Sequence, residues 1–192
     1  MKRPLCVALT GGMGCGKSAA AAAFESFGIR TADADKLAHA ALFSDGVRAP
    51  VSALLGNEVY EDGVPRRDII AKKVFADSAL LGKFEQIIHP QVEKMWRELA
   101  QKEDILVVEV PLLFEKKLES AFDLCVSVLC SERLRRRRLE QRGMNAEQIA
   151  ARDAFQIPPM RKAILADVVL FNETSIDFLK MQVGRVVSRL KQ

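Results

Sequence analysis

Apolar residues along this 192-residue chain come in short unbroken runs separated by stretches of helical spacing. The first run, residues 5–10, stops at a pair of glycines and reads as a strand buried on both faces. An alanine-rich segment follows, predicted as a helix from about Lys17 to Phe27 with Gly28 as its C-cap. Residues 29–32 form a short second strand that ends at Asp33-Ala34-Asp35. From 36 to 102 the spacing is helical and no good strand is visible. One helix follows Asp35, another covers 68–75, and a long one covers 78–102, bent at His89-Pro90 because proline cannot donate its backbone bond. Three further apolar runs lie at 105–110, 124–129 and 168–171, with the arginine-rich 133–142 and the helical 146–155 between the last two. The final segment spaces Ile176, Leu179, Val183, Val186 or Val187, and Leu190 as one face of a helix.

Strands that alternate with helices need crossover connections, which give a mostly parallel sheet covered on both faces. The expectation is one α/β chain, 1–192, of three layers with a five-stranded parallel sheet, a helical insertion at 36–102 and a helical, arginine-rich region at 132–165. A content of 49% hydrophobic and 28% charged residues fits an ordinary globular protein. No apolar stretch approaches the ~20 residues of a membrane span, and Met1-Lys2-Arg3-Pro4 leads into a run too short for a signal peptide. A cytoplasmic location is expected. The four cysteines form no CxxC pair and only two histidines exist, which argues for free thiols rather than zinc or disulfides. A net charge of +4 suits an anionic small molecule.

The chemistry begins at Gly11-Gly12-Met13-Gly14-Cys15-Gly16-Lys17-Ser18, a full GxxxxGK[ST] loop between a strand and a helix. Its glycines let successive N–H groups turn toward phosphate oxygens, and the helix adds its positive end. Lys17 reaches the β- and γ-phosphates of ATP, and the Ser18 hydroxyl ligates Mg2+. Asp33 and Asp35 stand past the second strand, at the edge where α/β proteins bind ligands. Either can take a hydroxyl proton, and either can instead cap the next helix; spacing does not choose between them. Glu109, near a strand end, occupies the place of a magnesium-organising carboxylate, and Pro111-Leu112-Leu113-Phe114-Glu115 exposes an apolar cluster at the same edge, unless this is a core strand running into a turn. Six arginines fall within 133–142. Arg135, Arg138 and Arg142 can share one helix face, and Arg142, just before Gly143, is the choice for a phosphate contact. The others read as a solvated face; without interleaved aromatics they do not make a nucleic-acid surface. The guanine-reading Asn-Lys-x-Asp of regulatory GTPases is absent at Asn172-Glu173-Thr174-Ser175.

With these pieces assembled, the chain resembles the dephospho-coenzyme A kinases. The matching stretches are Leu9-Thr10-Gly11-Gly12 with the glycine loop, Asp33-Ala34-Asp35, Arg67 before Val74-Phe75, and His89-Pro90. Val110 to Glu115, Arg142-Gly143-Met144, Arg152 with Gln156, and Ala166-Asp167 before Asn172 follow in the family's order. The resemblance implies transfer of phosphate from ATP to the ribose 3′-hydroxyl of dephospho-coenzyme A. It implies a nucleoside-kinase-like core, an acceptor-binding insertion at 36–102 and a lid at 132–165. By resemblance Asp35 is the base, with Thr10 and Arg142 near the transferring phosphate and Asn172 near the adenine. Arg67, His89, Leu112, Leu113, Phe114 and Glu115 border the acceptor. Cys15 replaces the serine usual in this loop; flanked by a helix N-terminus and Lys17, it is the thiol expected to be reactive, ahead of Cys6, Cys125 and Cys130.

Overall fold

The computed structural model describes residues 3–192; Met1 and Lys2, the first residues of the leader considered above, lie outside the described residues. The chain divides into two compact units, one built from the segment up to Ala32 together with Ala100–Gln192, the other from Asp33–Leu99.

The first unit contains the parallel sheet. Its strands are β1 (Leu5–Gly11), β2 (Arg30–Asp33), β5 (Ile105–Glu109), β6 (Leu124–Leu129) and β7 (Val168–Phe171), in the order β2-β5-β1-β6-β7; β3 and β4 belong to the second unit. β1 pairs in parallel with β5 from Leu5 opposite Ile105 to Leu9 opposite Glu109, and with β6 from Val7 opposite Leu124 to Gly11 opposite Val128. β6 in turn pairs with β7, Val126 opposite Val168. The central strands are mostly apolar because both of their faces are covered, with Thr10 and Ser127 as buried polar exceptions. On one face Val7, Leu9, Val107, Val126, Val128 and Leu170 pack with Ala20, Ala21, Ala23 and Phe24 of α1 (Lys17–Ser26) and with Leu179, Val183, Val186 and Val187 of α9 (Ile176–Leu190). A β-carbon at Gly184 would lie 2.9 Å from the Phe27 ring, so that glycine lets α9 close on the end of α1. The other face carries α8 (Pro159–Leu165), which contacts β1 and β6. This short helix was not expected from the sequence. The arginine-rich segment and the helix expected after it are α6 (Glu132–Glu140) and α7 (Ala146–Asp153), the latter started by a reciprocal Asn145–Gln148 capping box.

The second unit holds α2 (Ala34–Ala41), α3 (Asp45–Leu55), α4 (Arg67–Ala76) and α5 (Ser78–Ala100). On α3, Val47, Val51 and Leu55 are buried at four-residue spacing. The stretch read as free of strands contains a hairpin, β3 (Tyr60–Glu61) against β4 (Val64–Pro65), closed by Asp62-Gly63. Both turn residues have positive φ, 50° and 80°, as a tight two-residue hairpin turn requires. α5 is one helix from Ser78 to Ala100 with Pro90 inside it, two residues shorter than the expected 78–102.

Candidate active site

β1 delivers the chain into the glycine loop, and α1 begins at Lys17 directly after Gly16, whose φ of 99° is left-handed. A side chain would strain that backbone, and it would also collide, since a β-carbon at Gly16 would lie 2.0 Å from Asn172 Nδ2. Asn172, just past β7 and 7% exposed, donates Nδ2–H to the Cys15 carbonyl at 2.9 Å. Lys17 folds back over the loop and donates from Nζ to the Gly11 and Gly12 carbonyls at 3.0 and 3.4 Å. An ammonium held on soft carbonyl contacts can transfer to a phosphate at small cost.

The arginines divide by burial. Arg135 is 4% exposed and embedded in charge, with Nε and Nη2 on Glu132 at 2.7 and 2.9 Å and Nη1 and Nη2 on Asp153 at 2.9 and 2.6 Å. The hydrogen bonds that Arg135 donates to Glu132 first, then to Asp153, raise its pKa, and the bond Glu132 accepts from Arg135 is the first cause of its own fall to about 2. Nη1 also reaches the Met13 carbonyl at 3.5 Å, so Arg135 braces the loop from beneath. It is a structural anchor, not part of the solvated face expected from the sequence. Arg138 spans the loop and the end of β7, donating to the Cys15 carbonyl at 3.4 Å and the Asn172 carbonyl at 3.1 Å. Arg142 is exposed. With Arg138, Gln141, Asn172, Thr174 and Ile176 it bounds a cavity of about 450 Å³ whose other wall is Gly14, Gly16, Lys17, Ser18 and Ala19. Thus Gly14, Gly16, Lys17, Ser18, Arg142 and Asn172, far apart in sequence, meet at one cavity. Gly12 and Met13 lie in the loop outside its lining, and Arg138 joins it unselected by the sequence reading. Glu132 three residues before Arg135 was the only sequence signal that one arginine was held.

No three His, Cys, Asp or Glu side chains come together as a ready metal site among the described residues. The Ser18 hydroxyl beside this cavity suits an ion that arrives with nucleotide phosphates and keeps most of its waters, the habit of Mg2+. Glu109 ends β5, half-buried.

Cys15 corrects an expectation. Its thiol pKa falls to about 7, first through a hydrogen bond with the Cys130 thiol, with the Lys17 and Arg135 charges adding to it against the effect of burial. The direction of the shift matches the sequence argument, but its main cause is Cys130 rather than Lys17, and the access does not match. Cys15 is 0% exposed, its sulfur faces Cys130, and only its carbonyl serves the site. Rapid labelling ahead of the other cysteines is therefore not expected. Burial pushes the Cys125 thiol up, to about 11.

The expected exposed cluster after β5 is largely core, because Leu113 and Phe114 are 0% and 9% exposed and Leu112 is half-buried. Glu115 turns inward, its Oε1 accepting from Lys162 Nζ and from the Ile157 N–H, both at 2.8 Å. Thr10, 0% exposed at the end of β1, lies with its hydroxyl 3.4 Å from the Pro111 carbonyl. In the second unit Asp33 is the N-cap of α2, its Oδ1 accepting from the Asp35 and Lys36 N–H groups at 2.9 and 3.2 Å. Asp35 follows in the first turn and is exposed. Arg67 Nη1 meets His39 Nδ1 at 3.1 Å, and His89 sits half-buried on α5.

The sequence model of the dephospho-CoA kinase family matches residues 5–177. A dephospho-CoA kinase of Rhizobium meliloti (strain 1021) is 34% identical over 191 residues, covering 96% of this chain and 97% of that one. Among solved structures, a Thermus thermophilus protein superposes with a TM-score of 0.85 at 31% identity over 98% of this chain and 99% of its own. The dephospho-CoA kinase from Campylobacter jejuni, 22% identical, shares the fold with a TM-score of 0.62 over 98% of each chain.

The contacts around Asn172 make one prediction about ATP. Asn172→Ala removes the bond to the Cys15 carbonyl and opens the wall against Gly16, so Mg-ATP binding should weaken by roughly 10-fold or more, about the value of one buried hydrogen bond. Titration calorimetry on the folded variant checks this, and an unchanged dissociation constant would remove Asn172 from the nucleotide site.

Proposed function

The chain belongs to the dephospho-CoA kinase family, and from that premise we propose that it phosphorylates the ribose 3′-hydroxyl of dephospho-coenzyme A with ATP, releasing coenzyme A and ADP as the last step of coenzyme A synthesis. The observation that carries this reading is the joining of a complete phosphate loop to an arginine-walled cavity, in a chain that matches the family over residues 5–177.

The loop N–H groups of Gly12 to Ser18 and the N-terminus of α1 hold the β- and γ-phosphates. Lys17 Nζ leaves the Gly11 and Gly12 carbonyls for the phosphate oxygens. Ser18 would hold Mg2+, which would supply charge compensation at the nucleotide phosphates. Asp35 accepts the proton of the attacking hydroxyl, while Asp33 fixes the start of α2 on which Asp35 sits. Arg142 contributes a planar fork to charge developing on the transferring group, with Thr10 beneath it. Residues 132–165 act as the lid and residues 36–102 receive the acceptor, with Arg67 and His89 as its contacts. In the 112–115 segment Leu112, Leu113, Phe114 and Glu115 border the acceptor in this reading, Leu112 being half-buried and Leu113 and Phe114 buried. A cytoplasmic location is part of this reading; among the described residues no helix is long and apolar enough to cross a membrane.

Incubation with ATP, Mg2+ and dephospho-coenzyme A should yield coenzyme A by mass. Phosphorylation of a nucleoside monophosphate or shikimate, with dephospho-coenzyme A left untouched, would overturn the assignment. The base is tested by Asp35→Asn and Asp33→Asn, both gentle to the fold because asparagine caps a helix as well as aspartate does. Asp35→Asn should lower kcat by at least ~100-fold with near-normal ATP affinity, and Asp33→Asn by much less. The reverse order of severity would assign the proton to Asp33.

A further inference from the structure

Lysine is seldom found without exposed surface, because its ammonium gives up hydration that only close partners restore. Lys162 on α8 is 0% exposed. Its Nζ donates to the Pro111 carbonyl at 2.6 Å and to Glu115 Oε1 at 2.8 Å, while Glu115 Oε2 is buried with no donor. Pro111 is also the residue whose carbonyl faces the Thr10 hydroxyl, and the preceding Val110 N–H donates to the Leu9 carbonyl at 2.9 Å. Three residues before Lys162, on the same side of α8, Pro159 fills the space over the phosphate loop, where a β-carbon at Gly12 would lie 2.4 Å from its Cγ. One short helix therefore presses on the loop with its first turn and is fixed by its buried ammonium to the backbone beside Thr10.

We propose that Lys162 is a positioning residue for phosphoryl transfer: by holding the Pro111 carbonyl and seating α8 on Gly12, it sets the phosphate loop and Thr10 in the geometry the transferring phosphate needs. This rests on the kinase reading above and adds a residue to it. If the pair served stability alone, an uncharged pair of similar volume would do as well, since buried ion pairs are commonly replaceable without loss. Positioning makes a different demand, because the direction of the ammonium toward Pro111 then matters to rate.

The test uses Lys162→Met, Lys162→Arg and the charge-balanced pair Lys162→Met with Glu115→Gln. For each, thermal midpoint, kcat, KM for dephospho-coenzyme A, and ATP hydrolysis without acceptor are measured. Lys162→Met should slow transfer and acceptor-free hydrolysis alike, by about 30-fold, in line with the cost of small misplacements at a reacting centre. KM for the acceptor should stay within about twofold, and Lys162→Arg should recover part of the rate. The charge-balanced pair should recover the midpoint and not hydrolysis. Because hydrolysis needs no acceptor, it remains readable even if dephospho-coenzyme A proves not to be the substrate. Wild-type hydrolysis in either neutral variant, a change confined to the acceptor KM, or failure of both neutral variants to fold would each make the pair structural and overturn the proposal.

Discussion

The site depends on a steric constraint: at Gly11, Gly12, Gly14 and Gly16 a β-carbon would come within 2.5, 2.4, 2.9 and 2.0 Å of Val128, Pro159, Leu139 and Asn172. Those four neighbours belong to β6, α8, α6 and the turn after β7. The loop is cast against them, and segments more than a hundred residues later in the chain give it its shape. Without that mould a glycine-rich loop would have many conformations to lose on binding phosphate. The fold removes those conformations in advance, which is how a short motif becomes a preorganised anion site.

Charge follows the same division between holding and reacting. Arg135 and Lys162 are buried, each satisfied by carboxylates and by one backbone carbonyl of the site, Met13 and Pro111. They brace the frame. Lys17, Ser18 and Arg142 line the cavity. Arg138 lies between the two groups, bonded to loop backbone and lining the cavity at once. A single arginine-rich helix thus supplies both a structural clamp and a cavity wall from alternate turns.

Much of this was legible in the chain. β6 and β7 lie where their apolar runs stand; β6, covered on both faces, admits Ser127 as its one polar residue. The phosphate loop declared itself through spacing that only phosphate chemistry requires. What the sequence concealed was burial. Apart from Glu132 three residues earlier, nothing in the run of arginines separates Arg135 from its exposed neighbours, since its second carboxylate partner, Asp153, is distant in the chain. Nothing in the sequence singled out Lys162, and Leu113 and Phe114 were expected exposed at a strand edge. The hairpin at Asp62-Gly63 was missed because its two-residue strands are too short to show alternation. For Cys15 the sequence argument has the direction of the pKa shift but not its main cause or the burial, because the hydrogen bond with Cys130 outweighs Lys17 and cannot be read from neighbours in sequence.

The claim that downstream elements mould the loop is tested most directly at Gly12, whose φ is not left-handed, so that alanine there meets an obstacle in the Pro159 ring rather than in its own backbone. Mg-ATP affinity should be measured for Gly12→Ala, for Pro159→Gly and for the two combined. The account predicts that Gly12→Ala weakens binding by at least about 10-fold and that Pro159→Gly alone has a small effect, with the double variant recovering most of the loss through a strong coupling of neighbours. Equal weakening by Gly12→Ala in both backgrounds, or no weakening in either, would contradict it.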